Sequence, residues 1–254
     1  MIPNPTERFT GRVESYRRFR PGYPSAVVDV LRRACGLTSD SLIADIAAGT
    51  GRLTEIFLAA SFRVTAVEPN TEMRAACDRL TQDFPRLRVT EGTAEATGLP
   101  DHSIGLITVA QAMHWFDLEK TRAEFVRILQ PGGWCAVLYN NRHPGGDAFH
   151  EGYERLLQQF GIDYAAVKRQ HMGRRRLAAF FAPSPMESAV LPNHQSFDLE
   201  ALEGRILSSS YMPPPGQPRF EAMRDAIRRL FDQTQTDGHV TMQHDCVVCW
   251  GQLS

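Results

Sequence analysis

Short apolar runs alternate with amphipathic stripes along the first 140 residues of the chain. The runs are of the length expected for buried parallel strands, and they cover residues 42–46, 63–67, 87–91, 104–110 and 134–139. Between them, apolar side chains recur at helical spacing, as Leu53, Phe57 and Leu58 do. Strands and helices of these lengths favour right-handed parallel crossovers, so the pattern predicts an α/β fold.

The pattern changes after residue 140. A helical stripe begins at Phe149 and no strand is evident before residue 185, which predicts a helical insertion over the carboxyl edge of the sheet. Further strands are expected near residues 186–194 and 239–250, with amphipathic helices between them. We therefore expect a single domain over residues 1–254, divided into an N-terminal arm and helix (1–40), a cofactor-binding core (41–140), a helical insertion or lid (141–185) and C-terminal strands and helices (186–254).

The first strand runs directly into a turn of small residues. Residues 42–51 read Leu-Ile-Ala-Asp-Ile-Ala-Ala-Gly-Thr-Gly, and the next strand ends in Glu68, 17 residues after Gly51. Small residues let backbone approach a ligand closely, and a carboxylate can accept hydrogen bonds from both hydroxyls of a ribose. Strand, turn, helix, strand and terminal acid together predict the first half of a nucleotide-binding βαβ unit.

Composition and net charge limit the binding partners and the cellular compartment that we expect for this chain. The net charge of −1 gives no general attraction to nucleic acid or anionic membrane, and 43% hydrophobic residues support a real core. Five cysteines at irregular spacing fit a reducing compartment, and no run is long enough for a signal sequence or a membrane span. We expect a cytoplasmic protein, monomeric or homodimeric, acting on a small molecule and binding neither nucleic acid nor membrane.

The cysteines near the C-terminus do not predict a metal site. Cys246 and Cys249 lie in a predicted strand, where their spacing would put the two side chains on opposite faces. We expect both of them, and the neighbouring His244, to be structural.

The order of motifs resembles that of the class I S-adenosylmethionine-dependent methyltransferases, and more narrowly their small-molecule branch (type 11, similar to trans-aconitate methyltransferase). The likeness is carried by the glycine-rich turn at residues 45–51, the strand end at 67–70, the loops at 92–95 and 99–101, and the turn at 129–133. The narrower branch is indicated by residues 16–24 together with residues 111–116. The resemblance implies a doubly wound, Rossmann-like, mostly parallel sheet of seven strands with an antiparallel last strand.

The resemblance also implies S-adenosyl-L-methionine as cofactor, S-adenosyl-L-homocysteine as its product, and a set of cofactor-binding residues. Gly49 and Gly51 would leave room for the cofactor, Asp45 would lie near its amino end and Glu68 would hold the ribose. The full set implied is Asp45, Ala47, Ala48, Gly49, Thr50, Gly51, Glu68, Pro69, Asn70, Met73, Thr93, Ala94, Glu95, Gln111 and Ala112. Ala47 stands where the family usually has glycine, and its Cβ is tolerated if φ is negative.

Methyl transfer from a sulfonium depends chiefly on holding three atoms in line, so few catalytic residues are required. His114 is a candidate general base for an O or N acceptor, while a carboxylate acceptor would need none. Trp115 and Tyr16 could face the cationic donor through their rings, and Arg20 could bind an acidic acceptor. Each of these four side chains could equally be structural: His114 could order its loop, Trp115 could pack in the core, and Tyr16 and Arg20 could belong to an amphipathic arm.

Two alternatives stay open at this point. The same βαβ unit would suit a nicotinamide-dependent oxidoreductase, although no Tyr-x-x-x-Lys constellation is present. A basic run formed by Lys168, Arg169, Arg174, Arg175 and Arg176 would suit a cofactor-binding protein that acts on nucleic acid or protein. Such a run is more often a solvated helix face.

Overall fold

A computed structural model of the chain describes residues 13–165, 173–209 and 211–253, with the side chains of residues 15 and 16 also outside the description. Within these ranges the strands are β1 Leu42–Ile46, β2 Arg63–Val67, β3 Leu87–Thr90, β4 Ile104–Ala110, β5 Leu129–Arg142, β6 Glu187–Phe197 and β7 Val240–Gln252. The helices are α1 Val13–Phe19, α2 Ala26–Cys35, α3 Arg52–Ala59, α4 Thr71–Asp78, α5 Leu118–Ile128, α6 Ala148–Phe160, α7 Arg174–Phe181, α8 Leu199–Leu207 and α9 Phe220–Thr234. Short 3₁₀ turns span Arg79–Gln82 and Met113–Trp115.

The strands form one seven-stranded sheet in the order β3-β2-β1-β4-β5-β7-β6. The pairs from β3 to β5 are parallel, and β7 is antiparallel to both β5 and β6. The predicted fold class, including the antiparallel last strand, is confirmed.

Local signals set most helix ends as expected. Asn70 caps α4, its Oδ1 accepting from the N–H of Met73 at 2.9 Å, and Asp117 caps α5 in the same way. Gly36 ends α2 in the left-handed conformation with φ 62°, which glycine adopts without steric cost. The helix α2 begins at Ala26, with Ser25 as the residue that precedes its first turn.

Helices cover both faces of the sheet, and each face has its own hydrophobic cluster. Side chains of α2 and α3, including Leu31 and Phe57, pack on one face. Side chains of α5 and α7, including Phe125 and Phe180 with ring centroids 6.2 Å apart, pack on the other. Cys246 belongs to the first cluster and Cys249 to the second, which confirms that their side chains lie on opposite faces of β7.

A third cluster lies at the carboxyl edge of the sheet, beyond β5, β7 and β6. It joins α6, α8 and α9 to Phe197 at the end of β6 and to Val240 at the start of β7. We call these three helices the cap. The segment predicted as an insertion over residues 141–185 is therefore divided in the structure, because α6 joins the cap while α7 flanks the sheet.

Candidate functional site

The chain reverses its order across the sheet at β1, which has β2 on one side and β4 on the other. In open α/β sheets, ligands bind in the crevice at the carboxyl ends of the strands at such a point. Ala47 follows β1 and Gln111 follows β4, and both adopt a positive φ, of 55° and 57°. Non-glycine residues in this conformation mark strained backbone, which clusters at functional sites. The condition of a negative φ, under which a Cβ at Ala47 would be tolerated without strain, is not met.

The two glycines of the turn after β1 have different roles. A Cβ on Gly49 (φ 59°) would meet nothing within 4 Å, so this position faces open space. A Cβ on Gly51 (φ 85°) would lie 2.6 Å from Leu80 Cδ1 and 3.0 Å from Cys77 Sγ. Gly49 therefore has the room expected beside a ligand, whereas the surroundings of Gly51 require glycine because α4 and the turn after it pack against it.

The carboxylate of Glu68, at the end of β2, connects the glycine turn to the start of α4. Its Oε2 accepts from the N–H of Gly49 at 2.8 Å and its Oε1 accepts from the N–H of Asn70 at 2.9 Å. Burial raises the pKa of Glu68, while these two donors and the nearby Arg74 guanidinium oppose the rise. Each carboxylate oxygen has a further lone pair, so the fixed carboxylate can still accept from a diol.

Asp45 is fully enclosed beneath the same turn. Its Oδ2 accepts from Thr54 Oγ1 at 2.6 Å and its Oδ1 from Thr108 Oγ1 at 3.0 Å, which ties β1 to α3 and β4. Burial raises its pKa to about 6, against the lowering effect of the two hydroxyls. Asp45, predicted to lie near the cofactor's amino end, thus has hydroxyl groups of the protein as its observed partners.

The remaining predicted cofactor residues line this edge in two groups. Ala48, Thr50, Pro69, Asn70 and Met73 belong to the glycine turn and the start of α4. Thr50 is 4% exposed, and its Oγ1 has no hydrogen-bond partner among the described residues. Thr93, Ala94 and Glu95 form a tight turn after β3, in which Ala94 is buried and Glu95 Oε1 accepts from the N–H of Asp117 at 3.0 Å.

The segment after β4 forms the opposite wall of the crevice. Gln111 donates from its N–H to Leu138 O at 2.9 Å and from Nε2 to Asn140 O at 3.2 Å, which fixes it against β5. Ala112 is buried beside it. His114 and Trp115 follow in the 3₁₀ turn, with ring centroids 4.5 Å apart and the rings tilted by 44°.

The N-terminal arm reaches this wall from the far end of the chain. Asn140 Nδ2 donates to Gly22 O at 3.0 Å and Asn193 Nδ2 donates to the same oxygen at 2.9 Å. Arg20 Nη2 donates to Ser208 O at 3.1 Å, so Arg20 joins the arm to the end of α8. The side chain of Tyr16 lies outside the described part of the chain, as do Lys168 and Arg169 of the basic run.

The sequence analysis did not single out two polar side chains buried in the cap, Tyr153 and Arg205, and it treated the buried His244 of β7 as structural. Tyr153 has the spacing of the apolar stripe on α6, so it did not stand out. Arg205 carried a signal, because it occupies a position on the apolar face of α8 defined by Leu202 and Ile206. A charged residue in such a stripe indicates a buried polar contact.

The described residues contain neither a cluster of metal-binding side chains nor a helix suited to a membrane. No group of three or more His, Cys, Asp or Glu side chains there could hold a metal ion. No helix of the described residues is long and apolar enough to cross a membrane.

Known proteins share both the motif region and the fold. Residues 44–137 match the model of a family described as a methyltransferase domain. An uncharacterized methyltransferase of Mycobacterium tuberculosis is 37% identical over 134 residues, 53% of this chain and 52% of that protein. A Dictyostelium discoideum protein named as a methyltransferase is 35% identical over 180 residues, 67% of this chain and 65% of that protein. The chain spans about half the length of the first of these curated relatives.

A solved structure agrees over nearly the whole chain. A protein of Anaeromyxobacter dehalogenans described as a type II methyltransferase covers 92% of this chain and 98% of its own, with a TM-score of 0.67 and 22% identity. At that identity the likeness shows the fold alone. Residues 44–137 are therefore similar to a methyltransferase domain, in agreement with the class I S-adenosylmethionine-dependent methyltransferase motifs of the sequence. The narrower trans-aconitate-like branch stays a prediction.

Proposed function

We propose that this chain transfers the methyl group of S-adenosyl-L-methionine to an O or N atom of a small molecule, which includes a carboxylate acceptor, by in-line displacement. The observation that carries the proposal is the placement of Glu68. Its carboxylate is held by the N–H groups of Gly49 and Asn70 at the point where the sheet order reverses. A nucleoside would find a fixed acceptor for its ribose hydroxyls there.

The surrounding residues fit this cofactor in three respects. The side of Gly49 that a Cβ would occupy is open, the buried Oγ1 of Thr50 has no hydrogen-bond partner among the described residues, and Glu68 retains accepting capacity. When bound, the cofactor supplies a methyl group already activated by a positively charged sulfur. The task of the chain is then to bind and orient the acceptor, and such positioning can contribute roughly 7–11 kcal/mol.

Gln111 and Ala112 are proposed to border the methyl group, since Gln111 is fixed against β5 by two hydrogen bonds. His114, three residues further, is the proposed base for acceptors that lose a proton. We further propose a cytoplasmic protein, monomeric or homodimeric, that binds neither nucleic acid nor membrane, on the grounds of its net charge of −1 and its five free cysteines.

Binding of S-adenosyl-L-homocysteine, measured by calorimetry, tests the proposal. Glu68→Gln leaves only one oxygen for the two N–H groups and removes the charge that strengthens a bond to ribose. Losing hydrogen bonds to a charged group costs about 1.5–3 kcal/mol, so we expect binding weaker by about 10–100-fold. The matched control is Glu55→Gln, an exposed position on α3 just beyond the turn, which should bind as the wild type does.

Absence of binding heat in the wild-type protein at high micromolar concentrations would remove the proposal. A thermal-shift panel of NAD, NADP and S-adenosyl-L-methionine separates methyl transfer from hydride transfer. Stabilisation by the nicotinamides alone would favour the oxidoreductase alternative.

A further inference from the structure

Arg205, on α8, is a buried cation with no acidic partner in the part of the chain that the structure describes. The residue is 7% exposed, and its Nη1 donates to Ser209 Oγ at 3.3 Å. Its Nε is buried, with no hydrogen-bond partner among the described residues. Burying a guanidinium in this way is costly unless an anion compensates for it.

The guanidinium of Arg20 lies close to that of Arg205. Arg20 Nη2 donates to the same Ser209 Oγ at 3.4 Å, so the arm and α8 bring two positive charges to one hydroxyl. A third lies close by, because the Arg142 guanidinium at the end of β5 stacks 4.8 Å above the ring of Tyr153. Like charges repel, and proteins gather arginines in this way chiefly where they bind an anion.

The acidic residues nearby already have partners. Glu154 on α6 is paired with Arg142 and accepts from Tyr164 Oη at 2.8 Å. On α8 itself, Glu200 pairs with Arg18 at 2.9 Å and Glu203 with Arg224 at 3.4 Å. Glu154 therefore offsets the charge of Arg142, and none of these three acids pairs with Arg205.

Two buried neutral groups lie near these guanidiniums, since the charges of Arg205 and Arg142 act on both Tyr153 and His244. Tyr153 is 1% exposed, and its hydroxyl has no hydrogen-bond partner among the described residues. His244 is also 1% exposed, and neither ring nitrogen has a hydrogen bond of ordinary geometry among the described residues, although the Met242 backbone is near enough to oppose the fall in its pKa. Burial and the charges of Arg205 and Arg142 lower the pKa of His244 to about 3, so the ring is neutral and retains one N–H donor. Buried polar groups normally have partners, so a ligand is expected here.

The position of this group adjoins the proposed methyl site. Gln111 is bonded to the carbonyl of Asn140, and Arg142 lies two residues further along β5, about 7 Å at the rise of a strand. His244 is the cross-strand partner of Arg142 on β7. The arginines thus lie under the cap and next to the wall of the crevice.

We propose that Arg20, Arg142 and Arg205, with Tyr153 and His244, bind an anionic group, carboxylate or phosphate, of the methyl acceptor. That the anion belongs to the methyl acceptor rests on the proposed function. The anion site itself is defined by these five side chains. The guanidiniums of Arg20 and Arg205, which both donate to Ser209 Oγ, would bind the anion, and the Tyr153 hydroxyl would supply a further donor. The chain would therefore prefer acidic acceptors to their neutral amides.

Thermal unfolding of the whole chain tests the anion site without a known acceptor. The probes are sodium succinate and sodium phosphate at matched ionic strength, with sodium chloride and neutral succinamide as references. At ten times its dissociation constant, a bound probe should raise the Tm of the wild type by about 3–6 °C. A rise with succinate alone identifies a carboxylate site, one with phosphate alone a phosphate site, and either supports the proposal.

Two variants separate binding from a structural role. Arg205→Met should abolish the probe-dependent rise yet leave the Tm without probe unchanged or higher, since it removes an uncompensated buried charge. Arg228→Met, at an exposed position on α9, should keep the full rise. Arg205→Lys should restore part of the rise, because the charge remains but the planar fork is lost.

A wild-type protein that responds equally to succinate and succinamide, or an Arg205→Met variant that keeps the rise, would overturn the proposal. Calorimetry with S-adenosyl-L-homocysteine is performed separately. Binding heat without an anion-dependent rise leaves the proposed function and removes this site, and the opposite result removes the proposed function alone.

Discussion

The glycine turn and the cap lie at the same edge of the sheet, but they are assembled in opposite ways. In the turn, the two carboxylates accept from closer parts of the chain: Glu68 from residues 19 and 2 positions away, and Asp45 from residues 9 and 63 positions away. In the cap, Arg20 reaches residues 188 and 189 positions away. The two carboxylates of the turn have protein partners, whereas among the described residues Arg205 has no acidic partner and the Tyr153 hydroxyl has no hydrogen-bond partner.

This difference indicates that the turn binds a cofactor common to many proteins, whereas the cap determines which acceptor this chain binds. A turn whose groups are fixed by local bonds can hold the same cofactor in many proteins. An acceptor site that joins the N-terminal arm, the end of β5 and the cap can change its acceptor without disturbing that turn. We expect substitutions in the turn to affect cofactor affinity and those in the cap to affect acceptor choice.

The largest effect is expected from Glu154→Gln in the cap. The Arg142–Glu154 pair is buried, with side chains 14% and 11% exposed, and removing one partner leaves a second uncompensated guanidinium. The free energy of unfolding in urea should fall by about 3–5 kcal/mol. Added succinate should recover more of this loss than it adds to the wild type, because the anion then compensates Arg142 as well.

Glu151→Gln on the same helix is the matched control. Its pair with Arg155 spans 3.8 Å and both side chains are more than half exposed, so the change should be within about 0.5 kcal/mol. Equal losses in the two variants would contradict the view that the cap concentrates its electrostatic energy at the buried pair.

The same difference explains what could be predicted from the sequence. Glu68, the cap of α4 by Asn70 and the strands β1, β2 and β4 are local features, set by short apolar runs and single capping residues. The arginine group of the cap requires knowledge of which distant segments meet. The strand β5 is another example: it begins at Leu129 and not at Trp134, because Leu129 pairs with Ile104 across a register shift.

The second largest effect is expected from Asp45 beneath the turn, which should make the free energy of unfolding depend on pH. Burial raises the pKa of Asp45 from 3.8 to about 6, so the folded state binds the proton more tightly than the unfolded state. The stabilisation that proton binding by Asp45 gives the folded state is fully present below pH 3.8 and is lost as the pH rises through about 6. At 1.36 kcal/mol per pKa unit, the free energy of unfolding falls by about 3 kcal/mol over this range. Asp45→Asn, which can still bond both hydroxyls, should lack this loss.

The measurement compares wild type and Asp45→Asn in urea at several pH values between 4 and 7. The difference in unfolding free energy between them should move in favour of the variant as the pH rises. A difference independent of pH would show that Asp45 keeps an ordinary pKa beneath the turn.

A smaller effect distinguishes the two glycines of the turn. Gly51→Ala combines a positive φ with a Cβ 2.6 Å from Leu80 Cδ1, and should lower the unfolding free energy by about 2–3 kcal/mol. Gly49→Ala has only the conformational cost, about 1 kcal/mol. Its Cβ enters the open space, so it should weaken S-adenosyl-L-homocysteine binding more than Gly51→Ala does. The reverse order in calorimetry would place the ligand on the other side of the turn.

The smallest effect tests whether the turn stores strain. Ala47 has φ 55°, a conformation that costs an L-residue about 1 kcal/mol and costs glycine nothing. Glycine also makes the unfolded chain freer, which opposes the gain by about 0.4–1 kcal/mol. Ala47→Gly should therefore change the unfolding free energy by less than about 0.5 kcal/mol, whereas Ala60→Gly, at φ −87°, should show the loss alone. A difference of about 1 kcal/mol between the two variants would measure the strain. If the free energy of unfolding fell by the same amount in both variants, the backbone at Ala47 would be unstrained. Gln111, with φ 57°, would then be the strained residue at this edge of the sheet.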